Sequence, residues 1–107
     1  MTNQKQNIIE SMQALGKSIL PSDAKLILFG SQARNDANED SDWDLLILLD
    51  KKKIMPEDFD TYAYPFVELG WKYGEYFSSK LYTISEWQQR QGTPFYKNVQ
   101  KEGIALC

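Results

Sequence analysis

Two short apolar segments limit what this chain can fold into. Residues 24–29, AKLILF, and residues 45–49, LLILL, each have the length and composition of a buried β-strand. Both are far shorter than the roughly 20 apolar residues that a membrane-spanning helix requires. The residues between them are rich in turn-forming and acidic types, which indicates an exposed loop. We therefore expect two strands of one sheet, over residues 24–29 and 42–49, and no membrane-spanning segment.

Further elements are predicted on either side of these strands. Residues 3–20 carry apolar side chains three and four positions apart, which predicts an amphipathic helix. Pro56 is typical of the first turn of another helix, which Pro65 should kink or divide. Residues 76–83 alternate in polarity and predict a third strand. This alternation of helices and strands predicts an α/β (α+β) fold, with a small mixed sheet of about three strands flanked by helices, in a single domain spanning residues 1–107.

The composition excludes several classes of function. A net charge of −3 and a pI near 4.9 argue against general nucleic-acid binding, but they allow a local nucleotide site. The chain has no histidine and one cysteine, Cys107, so histidine-dependent catalysis and zinc sites are not expected. Any metal ion would be a hard cation bound by carboxylates. The single cysteine and the lack of a signal-peptide pattern predict a cytoplasmic protein.

Asp42 and Asp44 are the best candidates for such carboxylates. Alternate residues of a strand lie on one face, so both side chains would project the same way, about 7 Å apart along the backbone. Two ionised carboxylates at this spacing repel each other unless a cation lies between them. Oxygen ligands indicate Mg²⁺ or Mn²⁺. Trp43 and Leu45 would point in the opposite direction, into the core.

Gly30 and Ser31 form a turn that could bind the phosphates of a nucleotide. Glycine lets a phosphate approach the backbone closely, and a short helix over residues 32–34, capped by Ser31, would offer free N–H groups. Each feature alone is more often structural, since glycine commonly ends a strand and serine caps many helices. Together, at the end of one apolar strand and the start of the next, they favour a triphosphate site beside a metal site, the arrangement that nucleotidyl transfer requires.

The segment in which ten residues separate Gly30-Ser31 from Asp42-Trp43-Asp44 resembles the signature of the DNA polymerase β-like nucleotidyltransferase superfamily, particularly its minimal nucleotidyltransferase branch. The resemblance implies transfer of a nucleoside monophosphate from a nucleoside triphosphate, usually ATP, to a hydroxyl group, with Mg²⁺. It also implies a separate HEPN-type helical partner, with this chain as antitoxin or catalytic half. By the same resemblance, Asp42 and Asp44 are catalytic metal ligands and Gly30 and Ser31 bind triphosphate. Arg34 either adds positive charge near the phosphates or is a solvated helix residue.

The family also supplies a third carboxylate from the next strand, and here that strand, YFSSKLYT, contains no acid. The family pattern would place the carboxylate near Ser79 or Lys80. Glu75, just before the strand, is the candidate substitute, and Lys80 is either an exposed strand residue or a phosphate contact. The alternative function is a catalytically weak or inactive module that binds nucleotide or a partner. An aminoglycoside-type nucleotidyltransferase fits the motif but not the chain length.

Overall fold

A mixed β-sheet lies at the centre of the computed structural model, which describes residues 2–38 and 40–107. Within these residues the sheet has four strands in the order β3-β2-β1-β4. β1 runs antiparallel to both β2 and β4, and β2 runs parallel to β3. The strands are β1 (Lys25–Phe29), β2 (Trp43–Leu49), β3 (Phe77–Thr83) and β4 (Ile104–Ala105).

Helices cover both faces of this sheet. They are α1 (Thr2–Ile19), α2 (Ser31–Arg34), α3 (Pro56–Asp58), a π-helical turn (Phe59–Ala63), α4 (Tyr64–Lys72), α5 (Ile84–Gln88) and α6 (Pro94–Glu102). None of the helices in the described part of the chain is long and apolar enough to cross a membrane.

The central strand β2 is buried on both sides. Trp43, Leu45, Ile47 and Leu49 pack in a core with α1, the π-helical turn and α4, so we call this side the α1 face. Leu46 and Leu48 point the other way and pack with residues of α5 and α6, on what we call the α6 face. Because side chains alternate along a strand, Asp44 lies on the α6 face with Leu46. The prediction that Trp43 and Leu45 enter the core is confirmed.

The predicted fold class is confirmed, and the sheet has one more strand than expected. β4 is only two residues long, which is too short to show the alternation or the apolar run by which a strand is recognised in a sequence. It is recognised only by its pairing, in which Ile104 and Ala105 lie opposite Leu28 and Ile27. The other three strands each begin one residue later than predicted.

The helix predicted to begin at Pro56 is divided, as Pro65 suggested. Its first turn, α3, leads into the π-helical turn, and Pro65 lies in the first turn of α4. Proline lacks an N–H group, so this position interrupts the regular α-helical hydrogen bonds. Single π-helical turns accommodate one extra residue within a helix.

A charged corner joins the end of β2 to this divided helix. Lys51 follows β2, and its Nζ donates a hydrogen bond of 2.7 Å to Oδ2 of Asp58. The Met55 N–H donates to the same oxygen, also at 2.7 Å. These two donors, Lys51 first, lower the pKa of the nearly buried Asp58 carboxyl group.

Candidate active site

The Gly30-Ser31 turn and the two aspartates meet where β1 ends and β2 begins. Because the two strands are antiparallel, the last residue of β1 lies beside the first residues of β2, and Phe29 pairs with Asp44. Gly30, the next residue along the chain, is thereby placed against the Asp44 side chain. The sheet register therefore brings together the two halves of the motif that the sequence separates by ten residues.

Two features of the structure require glycine at position 30. Its φ of 78° is in the region that side-chain-bearing residues rarely adopt. In addition, a Cβ atom on Gly30 would collide with Oδ2 of Asp44. The glycine thus makes room for the Asp44 carboxylate, a role that the sequence reasoning, which considered only phosphate approach, missed.

The helix that follows is capped differently from the prediction. Gly30, and not Ser31, is the N-cap of α2, and no side-chain hydrogen bond caps the helix. The carbonyl oxygen of Gly30 accepts hydrogen bonds from the N–H groups of Ala33 and Arg34, at 3.0 and 3.1 Å. Ser31 is the first residue of α2 and is half-buried. Because Gly30 is the N-cap, the Ser31 hydroxyl group does not cap the helix.

Asp42 and Asp44 differ in their surroundings. Asp42 is exposed and immediately precedes β2, whereas Asp44 is half-buried within it. Burial raises the pKa of Asp44, and the nearby charge of Asp42 raises it further. Lys80 and Arg34 act in the opposite direction and lower it. An uncompensated carboxylate pair of this kind is stabilised by a bound cation.

The donor set of this pair fits Mg²⁺ or Mn²⁺. In the described part of the chain, no group of three or more histidine, cysteine, aspartate or glutamate side chains is arranged to bind a metal ion. Mg²⁺ commonly binds one or two carboxylates and completes its coordination with water and substrate phosphates. Asp42 and Asp44 are the residues that would hold it, with the remaining ligands coming from a nucleotide.

Arg34, at the end of α2, already has two carboxylate partners. Its Nε lies 3.0 Å from Oδ2 of Asp36, and its Nη1 lies 3.1 Å from the carboxylate of Glu102. These partners, Asp36 first, raise the pKa of the guanidinium group. Arg34 is near enough to Asp44 to lower that residue's pKa, but its hydrogen bonds are directed to α6 and to its own loop.

The next strand, β3, brings a lysine to the aspartates. Its parallel register places Ser78 beside Asp44 and Lys80 beside Leu46, so Ser78 and Lys80 share the α6 face with Asp44. Ser79 instead lies beside Leu45 on the α1 face. Its buried hydroxyl has no hydrogen-bond partner among the residues that the structure describes. Of the two positions named for a third carboxylate, only that of Lys80 faces the site.

Comparison with known proteins agrees with this geometry. A family model described as a nucleotidyltransferase domain matches residues 5–102. The chain belongs to this nucleotidyltransferase family. A relative from Methanocaldococcus jannaschii is 33% identical over 104 residues, which cover 97% of this chain and 98% of the relative. That protein bears the name "putative protein adenylyltransferase".

In this nucleotidyltransferase, Glu75 is not brought to the aspartates. Its Oε1 accepts a hydrogen bond of 3.2 Å from the indole Nε1 of Trp43. The Trp43 side chain is buried on the α1 face, opposite Asp44. The structure therefore does not support Glu75 as the third carboxylate, because this acid is held on the other side of the sheet.

Proposed function

We propose that this nucleotidyltransferase transfers AMP from ATP to a hydroxyl group of a separate protein, with Mg²⁺. The observation that carries the proposal is the position of the Asp44 carboxylate, which lies against Gly30 and near the charge of Asp42. Family membership supports nucleotidyl transfer in general. The name of the archaeal relative supports AMP as the transferred group and a protein as the acceptor.

The reaction assigns separate tasks to the two halves of the site. Asp42 and Asp44 would hold the metal ion, which would supply positive charge to the phosphates. Gly30 and Ser31 orient the triphosphate. The acceptor oxygen forms a bond to the α-phosphorus, the bond from that phosphorus to the bridging oxygen breaks, and pyrophosphate leaves with the electron pair. The acceptor proton passes to water.

We further propose that the acceptor is a HEPN-type helical protein, for which this chain acts as antitoxin or catalytic half in the cytoplasm. The support for this step is the resemblance of the segment around Gly30 and Asp44 to the minimal nucleotidyltransferase branch. The acceptor and the antitoxin role are separate from the chemistry, and they are tested by identifying which protein becomes labelled.

The direct test follows a radioactive α-phosphate from ATP to a co-purified HEPN-type protein in the presence of Mg²⁺. We expect label on that protein with the wild-type chain and none with Asp44→Asn. The matched control is Asp60→Asn, which changes the same functional group at an exposed position of the π-helical turn. Absence of label from every protein acceptor, despite Mg²⁺-dependent ATP binding, contradicts the proposal.

A second candidate function is a nucleotide-binding or partner-binding module with little or no catalysis. The observation that favours it is the lack of an acid at Ser78 and Lys80, the β3 positions beside the aspartates. Loss of a general base typically slows a reaction by about 10²- to 10⁴-fold. ATP binding that depends on Asp42 and Asp44, combined with no detectable transfer, would establish this candidate in place of the first.

A further inference from the structure

We infer that Lys80 is a triphosphate-binding residue and that its ammonium group takes the place of a second metal ion in this site. The inference rests on the proposed function and deepens it. It assigns a role to the residue that faces the aspartates from β3, and it states how many divalent cations accompany the nucleotide.

The position of Lys80 follows from the sheet register. Lys80 lies beside Leu46, which is two residues from Asp44 on the same face of β2. Two residues along a strand span about 6.6 Å and neighbouring strands lie about 4.8 Å apart, so the backbones at Lys80 and Asp44 are about 8 Å apart. A lysine side chain has four methylene groups and can cross that distance. Its exposed position leaves the ammonium group accessible to a ligand bound at Asp44.

The charge of Lys80 is not consumed by the protein. Among the described residues, the ion pairs are Arg34 with Asp36, Arg34 with Glu102, and Lys51 with Asp58. No carboxylate oxygen in this part of the chain lies within 4.0 Å of the Lys80 ammonium group.

Arg34 and Lys80 therefore differ in what they can offer a nucleotide. The guanidinium group of Arg34 is held by two carboxylates, and its net charge is largely compensated. The Lys80 ammonium group lies more than 4.0 Å from the Asp44 carboxylate and has no carboxylate partner among the described residues, so its charge is available to a phosphate group of a bound nucleotide. Hydrogen bonds between charged groups are the stronger class in proteins.

The same position determines the number of cations. A carboxylate on β3 would add a ligand for a second divalent ion, and paired metal ions stabilise both the attacking and the leaving oxygen in many phosphoryl-transfer sites. An ammonium group there repels a second cation. Lys80 is instead suited to stabilise the negative charge that develops on the departing pyrophosphate, while the acceptor oxygen bonds to the α-phosphorus and its proton passes to water.

The first test compares ATP and AMP affinity by calorimetric titration in Mg²⁺. We expect Lys80→Ala to weaken ATP binding by about tenfold to a hundredfold and AMP binding by less than about twofold. The matched control is Lys72→Ala, which removes the same charge from an exposed residue of α4 beside Leu15, on the α1 side of the molecule. Thermal unfolding confirms that each variant is folded.

The second test counts the Mn²⁺ ions bound with a non-hydrolysable α,β-methylene analogue of ATP, by electron paramagnetic resonance. We expect one ion in the wild-type complex and two in Lys80→Glu, where the new acid supplies a further ligand. Two ions in the wild-type complex overturn the inference. Unchanged ATP affinity in Lys80→Ala overturns the inference about Lys80 and leaves the proposed function intact. A wild-type chain that does not bind ATP overturns the proposed function as well.

Discussion

The two ends of β2 place an aspartate in opposite electrostatic surroundings. At the far end, Asp58 accepts hydrogen bonds from Lys51 and Met55, and its pKa is lowered. At the near end, Asp44 lies against Gly30 and close to Asp42, and its pKa is raised by burial and by that second negative charge. The protein stabilises the charge of the first carboxylate itself. The charge of the second is left for a ligand to stabilise, which distinguishes a structural acid from a functional one.

The largest expected effects on transfer and stability come from neutralising Asp44 and Asp58 in separate variants. Asp44→Asn should reduce Mg²⁺-dependent nucleotide transfer by on the order of 100-fold or more without lowering the free energy of unfolding, since it removes a half-buried, repelled charge. Asp58→Asn should do the reverse and lower stability while transfer per folded molecule is kept. Urea unfolding and the transfer assay measure both. Loss of transfer in well-folded Asp58→Asn would contradict the distinction.

The next effect concerns the backbone conformation of Gly30 and its close approach to Asp44. Gly74→Ala is the control, because Gly74 has a similar φ of 69° but no atom within 4 Å of an added Cβ. It should cost about 1 to 2 kcal/mol of unfolding free energy. Gly30→Ala should cost more, at least about 2 kcal/mol, because φ 78° with ψ −160° is a conformation nearly restricted to glycine and because the added Cβ would also displace Asp44.

ATP binding gives a second comparison of the Gly30→Ala and Gly74→Ala variants. Gly30→Ala should lose Mg²⁺-dependent ATP binding, and Gly74→Ala should keep it. Equal stability losses with equal ATP affinity would show that the contact between residue 30 and Asp44 is unimportant for the site.

The smallest expected effect is on the pH dependence of stability. The pKa of Asp58 is lowered on folding, so its stabilisation is present above its ordinary value of 3.8 and is lost as the pH falls below it. The pKa of Asp44 is raised, so wild-type stability should fall relative to Asp44→Asn as the pH rises above 3.8. Urea unfolding in metal-free buffer between about pH 2 and pH 6 measures both differences. Parallel curves for the two variants would contradict the assignment.

The sequence predicted those parts of the fold that depend on local pattern. The apolar runs gave β1 and β2, alternation gave β3, and the spacing of Gly30-Ser31 and Asp42 gave the family. Each of these signals lies within a few residues of chain or at a fixed spacing, so no tertiary information is needed to read it.

The remaining features depend on register and could not be read locally. The contact of Gly30 with Asp44 exists because Phe29, and not a neighbour, pairs with Asp44. Glu75 precedes a strand that adjoins the aspartates, but its hydrogen bond to the Trp43 indole holds it on the opposite face. The face of Lys80 is fixed once the parallel register of β3 is known.

The π-helical turn between α3 and α4 determines how these two helical segments are rotated relative to each other. Asp58 and Ala63 are both buried although they are five residues apart, a spacing that a regular α-helix would not place on one side. The extra residue sets the rotation of α4, which carries the buried Phe66, relative to the charged corner at Asp58. Removing it would turn α4 by about 100° relative to α3, carrying Phe66 away from the sheet. The divided helix can therefore bury both Asp58 and Phe66, although their spacing does not suit one regular α-helix.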